Sequence, residues 1–352
     1  MQIDVIIIGQ GISGTFLSYY LQKKSLSFIL IDESRPNTAS KAAAGMINPV
    51  TGRRMVKTWM IDELMTFSKN AYQQIGDELN MECMTERKII DFFPTPQMRN
   101  AFIDRFNEDA DYLDLPASEN EWRENFNYEF GFGEIAPIFL VDINGLLSSF
   151  REKLIADGQL MEEKFDINEL HTIENKIQYK NISSDKIIFC DGINGVDNPY
   201  FKNLPFAPNK GEALIVEIKE FPSSHIFKKG INIVPLKKNL FWIGSSYEWD
   251  FKDEQHSENF RMQTESVLHQ WLKMPFNIVD HVASVRPATL ERRPFVGFHP
   301  AHQNIGILNG MGTKGCSLAP YFAKQLVENM INNSIILPEG NVQRFNKILL
   351  RS

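Results

Sequence analysis

Six residues near the start, Gly9-Gln10-Gly11-Ile12-Ser13-Gly14, constrain this chain more than any others. They follow the apolar run Ile3-Asp4-Val5-Ile6-Ile7-Ile8 and precede an amphipathic stretch with Phe16, Tyr19 and Tyr20. This is a strand, a glycine turn and a helix. In that setting Gly9 makes the tight turn, Gly11 lets a pyrophosphate approach the backbone, and Gly14 lets helix and strand pack closely. Ile12 and Ser13 complete the turn, where the helix start offers free N–H groups and a partial positive charge to phosphates. The pattern also asks for an acid about 20 residues on, to hold a ribose hydroxyl. The next strand, Ser27-Phe28-Ile29-Leu30-Ile31, ends in Asp32, with Glu33 as the neighbouring candidate. Strand, glycines, helix, strand and acid in this order predict a site for an ADP-containing dinucleotide, NAD or FAD.

At 352 residues the chain has room for about two domains. Its net charge of -7 argues against DNA and against broad nucleic-acid binding. A basic stretch, Arg53-Arg54-Met55-Val56-Lys57, keeps a tRNA contact open, while ten acids between Asp104 and Glu134 count against it. That acidic segment reads as a solvated excursion on a cap domain. Cys83, Cys190 and Cys316 are scattered without metal spacing and fit a reducing compartment. The seven histidines show no metal grouping, so no metal site is expected. No apolar run reaches membrane-spanning length, and the first residues lack a basic leader, so a cytoplasmic protein is expected.

The pattern starts α/β and turns to antiparallel strands in the third quarter, at Glu212 to Ile218, Ile231 to Pro235 and Leu240 to Ser245. Helices are predicted over 59–80 and 143–157. A strand at 186–190 runs into a turn at Gly192. Ala43-Ala44-Gly45-Met46 follows Lys41 and Ala42 in a run of small residues; such a run lets backbone approach something flat, but taken alone it reads better as a tightly packed helix start. Near the end, Gly310-Met311-Gly312-Thr313-Lys314-Gly315 feeds a helix with Leu318, Phe322, Leu326 and Met330 on one face and Pro320 in its first turn. A second glycine loop opening a helix could stabilise negative charge on a reduced flavin. Nicotinamide gains no such anion on reduction, so this loop favours FAD; a purely structural loop fits the spacing equally well.

The whole chain resembles the D-amino-acid oxidase superfamily of FAD-dependent oxidoreductases, most closely its glycine oxidase and sarcosine oxidase-like branch. The resemblance rests on Gly9 to Gly14, Asp32, Ala43 to Met46, Phe189 to Gly192, Lys210-Gly211-Glu212, Val285-Arg286-Pro287 with Pro294 to Gly297, and Gly310 to Gly315. It implies a Rossmann-like FAD-binding domain (1–48, 141–205 and 275–352) interleaved with a substrate or cap domain on a mostly antiparallel sheet (49–140 and 206–274), α/β in class and α+β overall. It implies that Gly9, Gly11, Gly14 and Asp32 hold the adenylate half, that Ala43, Ala44, Gly45 and Met46 line the flavin, and that Gly312, Thr313 and Lys314 lie near its pyrimidine edge.

Arg286 matches the arginine that pairs with a substrate carboxylate, with Lys314, Arg53 or Arg54 as helpers; an internal ion pair or a flavin contact is its alternative role. Arg286 also stands where sarcosine oxidases carry a flavin-linked cysteine, which implies non-covalent FAD. The implied reaction is oxidation of a small amino acid or N-substituted glycine by hydride transfer to flavin N5, with the imine then hydrolysed. Two departures stand out. Asn232 replaces a substrate-binding tyrosine, and Trp242 stands where a lysine linked to oxygen activation is found. The acceptor is therefore oxygen or another oxidant. A flavoprotein acting on tRNA wobble-uridine side chains and an FAD-binding protein without turnover are the rival readings.

Overall fold

The computed structural model describes residues 1–351. Two large sheets take every strand but the two of a small hairpin, Val50–Thr51 and Val56–Lys57. In the first, of eight strands, Gln2–Ile8 lies between Phe28–Ile31 and Ile182–Phe189, all parallel. The other edge of Ile182–Phe189 is shared by antiparallel Lys176–Tyr179 and parallel Ile305–Asn309. Val5, Ile6 and Ile7 are fully buried, as expected of a parallel strand covered on both faces.

The second sheet has nine strands and is mostly antiparallel. Its order runs Asn277–Arg286, Asn209–Glu217, Leu240–Gly244, Ile231–Pro235, His225–Lys229, Met84–Phe92, Phe132–Val141 and Met46–Ile47, with Leu113–Asp114 beside Phe132–Val141. The one parallel step joins His225–Lys229 to Met84–Phe92. Together the sheets make an α/β layer with a Rossmann-like start and a separate, largely antiparallel layer. Arg286 ends a strand of the second sheet.

The helices among the described residues are α1 (Ile12–Lys23), α2 (Ile61–Leu79), α3 (Pro96–Glu108), α4 (Ile143–Ala156), α5 (Glu258–Trp271), α6 (Gly315–Asn332) and α7 (Asn346–Leu349). α2 buries Leu64, Met65, Ser68, Tyr72 and Ile75, the three-and-four spacing of an amphipathic helix. α3, α4 and α5 start where a cap predicts: the side chains of Thr95, Asp142 and Ser257 accept hydrogen bonds from Met98, Gly145 and Phe260. α1 packs on α6 over the first sheet, with Phe16 and Leu17 fully buried.

Three local expectations change. The small run at 41–46 starts no helix; it ends in the strand Met46–Ile47, paired to Phe139 and Leu140. The acidic segment is no solvated excursion. Its acids sit between aromatics that fill a core, where Trp122, Phe126, Tyr128 and Phe132 are buried with Phe92, Phe227 and Trp271. Burying rings of that size outweighs the cost of holding the intervening carboxylates at the surface. Pro320 lies in the second turn of α6, not the first. A proline there leaves the carbonyl four residues back, Cys316 O, without its helical donor. The buried Tyr72 hydroxyl donates to that oxygen at 2.8 Å.

Candidate active site

The glycine turn has the geometry its sequence predicts. Gly9 takes φ +96°, and a Cβ there would stand 2.6 Å from the Cys190 carbonyl oxygen. A Cβ on Gly14 would stand 1.9 Å from the Gly9 carbonyl oxygen. Gly11 is the N-cap of α1, without a side-chain cap of its own. Ser40 supplies what the cap lacks: Ile12 N–H donates to its Oγ at 3.1 Å. Ser13 is buried in the first turn.

Asp32 faces the turn. Its Oδ2 accepts from Gln10 N–H at 2.9 Å, and its Oδ1 from Ser34 N–H at 2.8 Å and from Arg151 Nη1 at 2.8 Å. Glu33 beside it is exposed. A tight turn admitting no side chain at Gly9 or Gly14, an open helix start and a carboxylate at the next strand end fit the adenylate half of a dinucleotide.

Asn309, which the spacing argument did not single out, ties two of the predicted loops together. Its Nδ2 donates to Asp191 Oδ1 at 2.9 Å and to Gly192 O at 2.8 Å, while its Oδ1 accepts from Gly310 N–H at 2.7 Å. Burial pushes the Asp191 carboxyl up to about 6, against the hydrogen bonds from Asn198 and Asn309. Gly310 and Gly312 both have positive φ, and Gly312 N–H donates to Pro287 O at 3.2 Å. A Cβ on Gly315 would lie 3.3 Å from Ile12 Cγ2, so the starts of α6 and α1 meet. Met311 is buried and Thr313 exposed.

The Lys314 ammonium makes no hydrogen bond or ion pair among the described residues. Burial first, and then Arg293 and Arg292, bring its ammonium down to about 8. Gly45 has φ +81°, and a Cβ there would meet Val141 O at 2.0 Å. Ala43, Ala44 and Met46 flank it. The Trp242 indole N–H donates to Ala42 O at 3.0 Å. The tryptophan at the position of the expected lysine therefore holds the small-residue run in place.

Arg286 rises from the end of its strand beside Gly211. Its guanidinium donates to Asn209 Oδ1 at 2.7 Å, Ser246 O at 3.3 Å and Ser245 Oγ at 2.9 Å, and lies 4.8 Å from the centre of the Tyr247 ring. No carboxylate among the described residues lies within salt-bridge distance of it, which leaves its internal ion-pair alternative without a partner. Burial lowers its proton affinity. Asn209, Ser245 and Tyr247 went unnoticed in the sequence, because only strand pairing brings 209, 245 and 286 together. Asn232 lies three strands from Arg286 in the sheet, opposite Gly244 on the strand beside its own, and its Nδ2 donates to Gly244 O at 3.2 Å. Arg53 and Arg54 lie exposed at the tip of the hairpin Val50–Thr51/Val56–Lys57.

The family described as FAD dependent oxidoreductase matches residues 4–329. The glycine oxidase of Pseudomonas putida is 20% identical, covering 97% of this chain and 100% of its own. Among solved structures, glycine oxidase from Geobacillus kaustophilus superposes with a TM-score of 0.78 at 15% identity, covering 95% of this chain and 96% of its own. Iminodiacetate oxidase from Chelativorans sp. BNC1 gives 0.75 at 17% identity, covering 96% and 98%.

Proposed function

The chain belongs to the FAD-dependent oxidoreductase family, and from that premise we propose that it oxidises the C–N bond of a small amino acid or N-substituted glycine. It is an oxidoreductase whose cofactor is FAD. The observation that carries the substrate class is Arg286, a half-buried cation whose partners are all neutral. Burying a charge without a counter-charge is costly, and a carboxylate relieves the cost through two parallel charge-assisted bonds. Relatives named for glycine and iminodiacetate oxidation fit that reading.

On this reading the cofactor unit is the set of segments that build the eight-stranded sheet. The substrate unit is the set that builds the nine-stranded one, and it takes Asn277–Arg286, which the sequence bounds gave to the FAD-binding domain. Gly9, Gly11, Ile12, Ser13 and Gly14 hold the pyrophosphate, and Asp32 the ribose. Ala43 to Met46, Gly192 and the loop 310–315 border the rest. FAD is held without a covalent bond.

Bound here, FAD would supply the two-electron oxidation that turns the amine into an imine, which water hydrolyses. The protein's part is orientation and electrostatics. Arg286 fixes the carboxylate, and Asn209 and Ser245 fix Arg286. Lys314 and the N–H groups at the start of α6 offer positive potential where negative charge develops. Asn232, hydrogen-bonded at the foot of the Ser245 loop, leaves room where related enzymes carry a tyrosine. Trp242 tethers the small-residue run through Ala42 O, and the electron acceptor is oxygen or another oxidant. An RNA-borne substrate finds support only in the exposed pair Arg53 and Arg54.

The test is Arg286→Ala. The variant is expected to keep its flavin spectrum and its reduction by dithionite, but to lose reduction by amino acids about a hundredfold or more. Bleaching by amino acids at the wild-type rate would remove Arg286 as the anchor.

A further inference from the structure

Arg151 belongs to none of the motifs above, yet it touches two of them. It stands in the third turn of α4, next to the buried Phe150, with its own side chain only 15% exposed. Its Nη1 donates to Asp32 Oδ1 and to Gln10 Oε1, each at 2.8 Å, and its Nη2 donates to Asp32 O at 3.2 Å. Gln10 in turn donates from Nε2 to Leu147 O on α4 at 2.9 Å. One guanidinium thus spans the glycine turn, the end of the strand Phe28–Ile31 and a helix more than a hundred residues downstream.

A carboxylate offers about four acceptor positions. Two on Asp32 Oδ1 are taken by Ser34 N–H and Arg151, and one on Oδ2 by Gln10 N–H. One position on Oδ2 remains, on the oxygen that already faces the glycine turn. We infer that Arg151 is a cofactor-positioning residue: it locks the Asp32 carboxylate so that its one open acceptor site meets a ribose hydroxyl of the adenylate. The inference rests on placing the adenylate at this turn, and it is independent of which substrate is oxidised. Lys41 is the other cation here. Its Nζ donates to Arg35 O rather than to Asp32, so among the described residues Arg151 is the cation that bonds the carboxylate.

The experiment measures the dissociation constants of FAD, ADP and FMN for the full-length protein stripped of flavin. It compares wild type, Arg151→Met, Asp32→Asn and the double variant. Arg151→Met is expected to weaken FAD and ADP about tenfold or more, the scale of a hydrogen bond to a charged group. FMN, which lacks the adenylate, should bind each variant as it binds wild type. The double variant should be no weaker than the weaker single variant, because the two residues act as one unit. Arg151→Lys keeps the charge without the fork, should fold where Met does not, and should bind FAD with intermediate affinity. Unchanged ADP and FAD binding in Arg151→Met, equal losses for FMN and FAD, or multiplying effects in the double variant would each overturn the assignment. So would ADP failing to compete with FAD in the wild type.

Discussion

At the scale of single residues, the site depends on what is missing as much as on what is present. Gly211 lies under the Arg286 guanidinium; a Cβ there would come within 1.8 Å of Nη2 and 2.2 Å of Cζ. The obstacle is the far end of a flexible side chain, so Gly211→Ala should fold and keep FAD while pushing the guanidinium aside. A displacement of about 1 Å costs on the order of a hundredfold in rate. Anaerobic flavin reduction by the substrate should slow by that order, with an unchanged melting curve.

Lys314 makes a second prediction. Its ammonium sits near 8 because burial and two arginines disfavour the charge. Negative charge on the reduced ring beside it favours the protonated ammonium, so Lys314 holds the reduced flavin more strongly below about pH 8 than above it. The flavin reduction potential should therefore lose this contribution as pH rises beyond about 8. Lys314→Met should remove that step from the pH profile, and an unchanged profile would place the lysine away from the flavin.

At the scale of elements, α6 holds the clearest single contact. Tyr72 caps the carbonyl that Pro320 leaves open. Tyr72→Phe should cost about 1–2 kcal/mol, the price of a buried carbonyl without a donor, and is read by thermal or denaturant unfolding. Gly14→Ala meets backbone rather than side chain, 1.9 Å from Gly9 O, so the turn itself must move and FAD retention should be lost.

The elements also show what was legible in the sequence. The first strand, the glycine turn and the amphipathic α2 could be read because the signal is local: an apolar period and residues that admit no other backbone. Ile231–Pro235 appears within the bounds its alternation gives. The strands Met84–Phe92 and Phe132–Val141 and helix α5 could not be read as easily. Charged residues interrupt their apolar pattern, and their stability comes from a partner far along the chain. In the acidic segment the carboxylates mask Trp122 and Phe126, whose burial depends on Phe227 and Trp271. The site divides the same way. Arg286 was visible through the family resemblance, whereas Asn209, Ser245 and Arg151 become functional only through pairing and packing.

At the scale of the whole molecule, each sheet is assembled from segments scattered along the chain, with the glycine turn on one sheet and Arg286 on the other. A ligand that binds only the folded protein stabilises the entire fold. FAD at about a hundred times its dissociation constant should add about 2.7 kcal/mol, seen as a rise in the melting temperature of the stripped protein. The most direct test of the central claim, oxidation of an amine held by its carboxylate, is an anaerobic titration of the purified yellow protein. The panel comprises amino acids, N-alkylated glycines and the same amines without the carboxyl group. At least one carboxylate-bearing amine should bleach the flavin, and its decarboxylated counterpart should leave it oxidised. Equal bleaching by both, or a flavin reduced by dithionite and by no amine in the panel, would contradict the account.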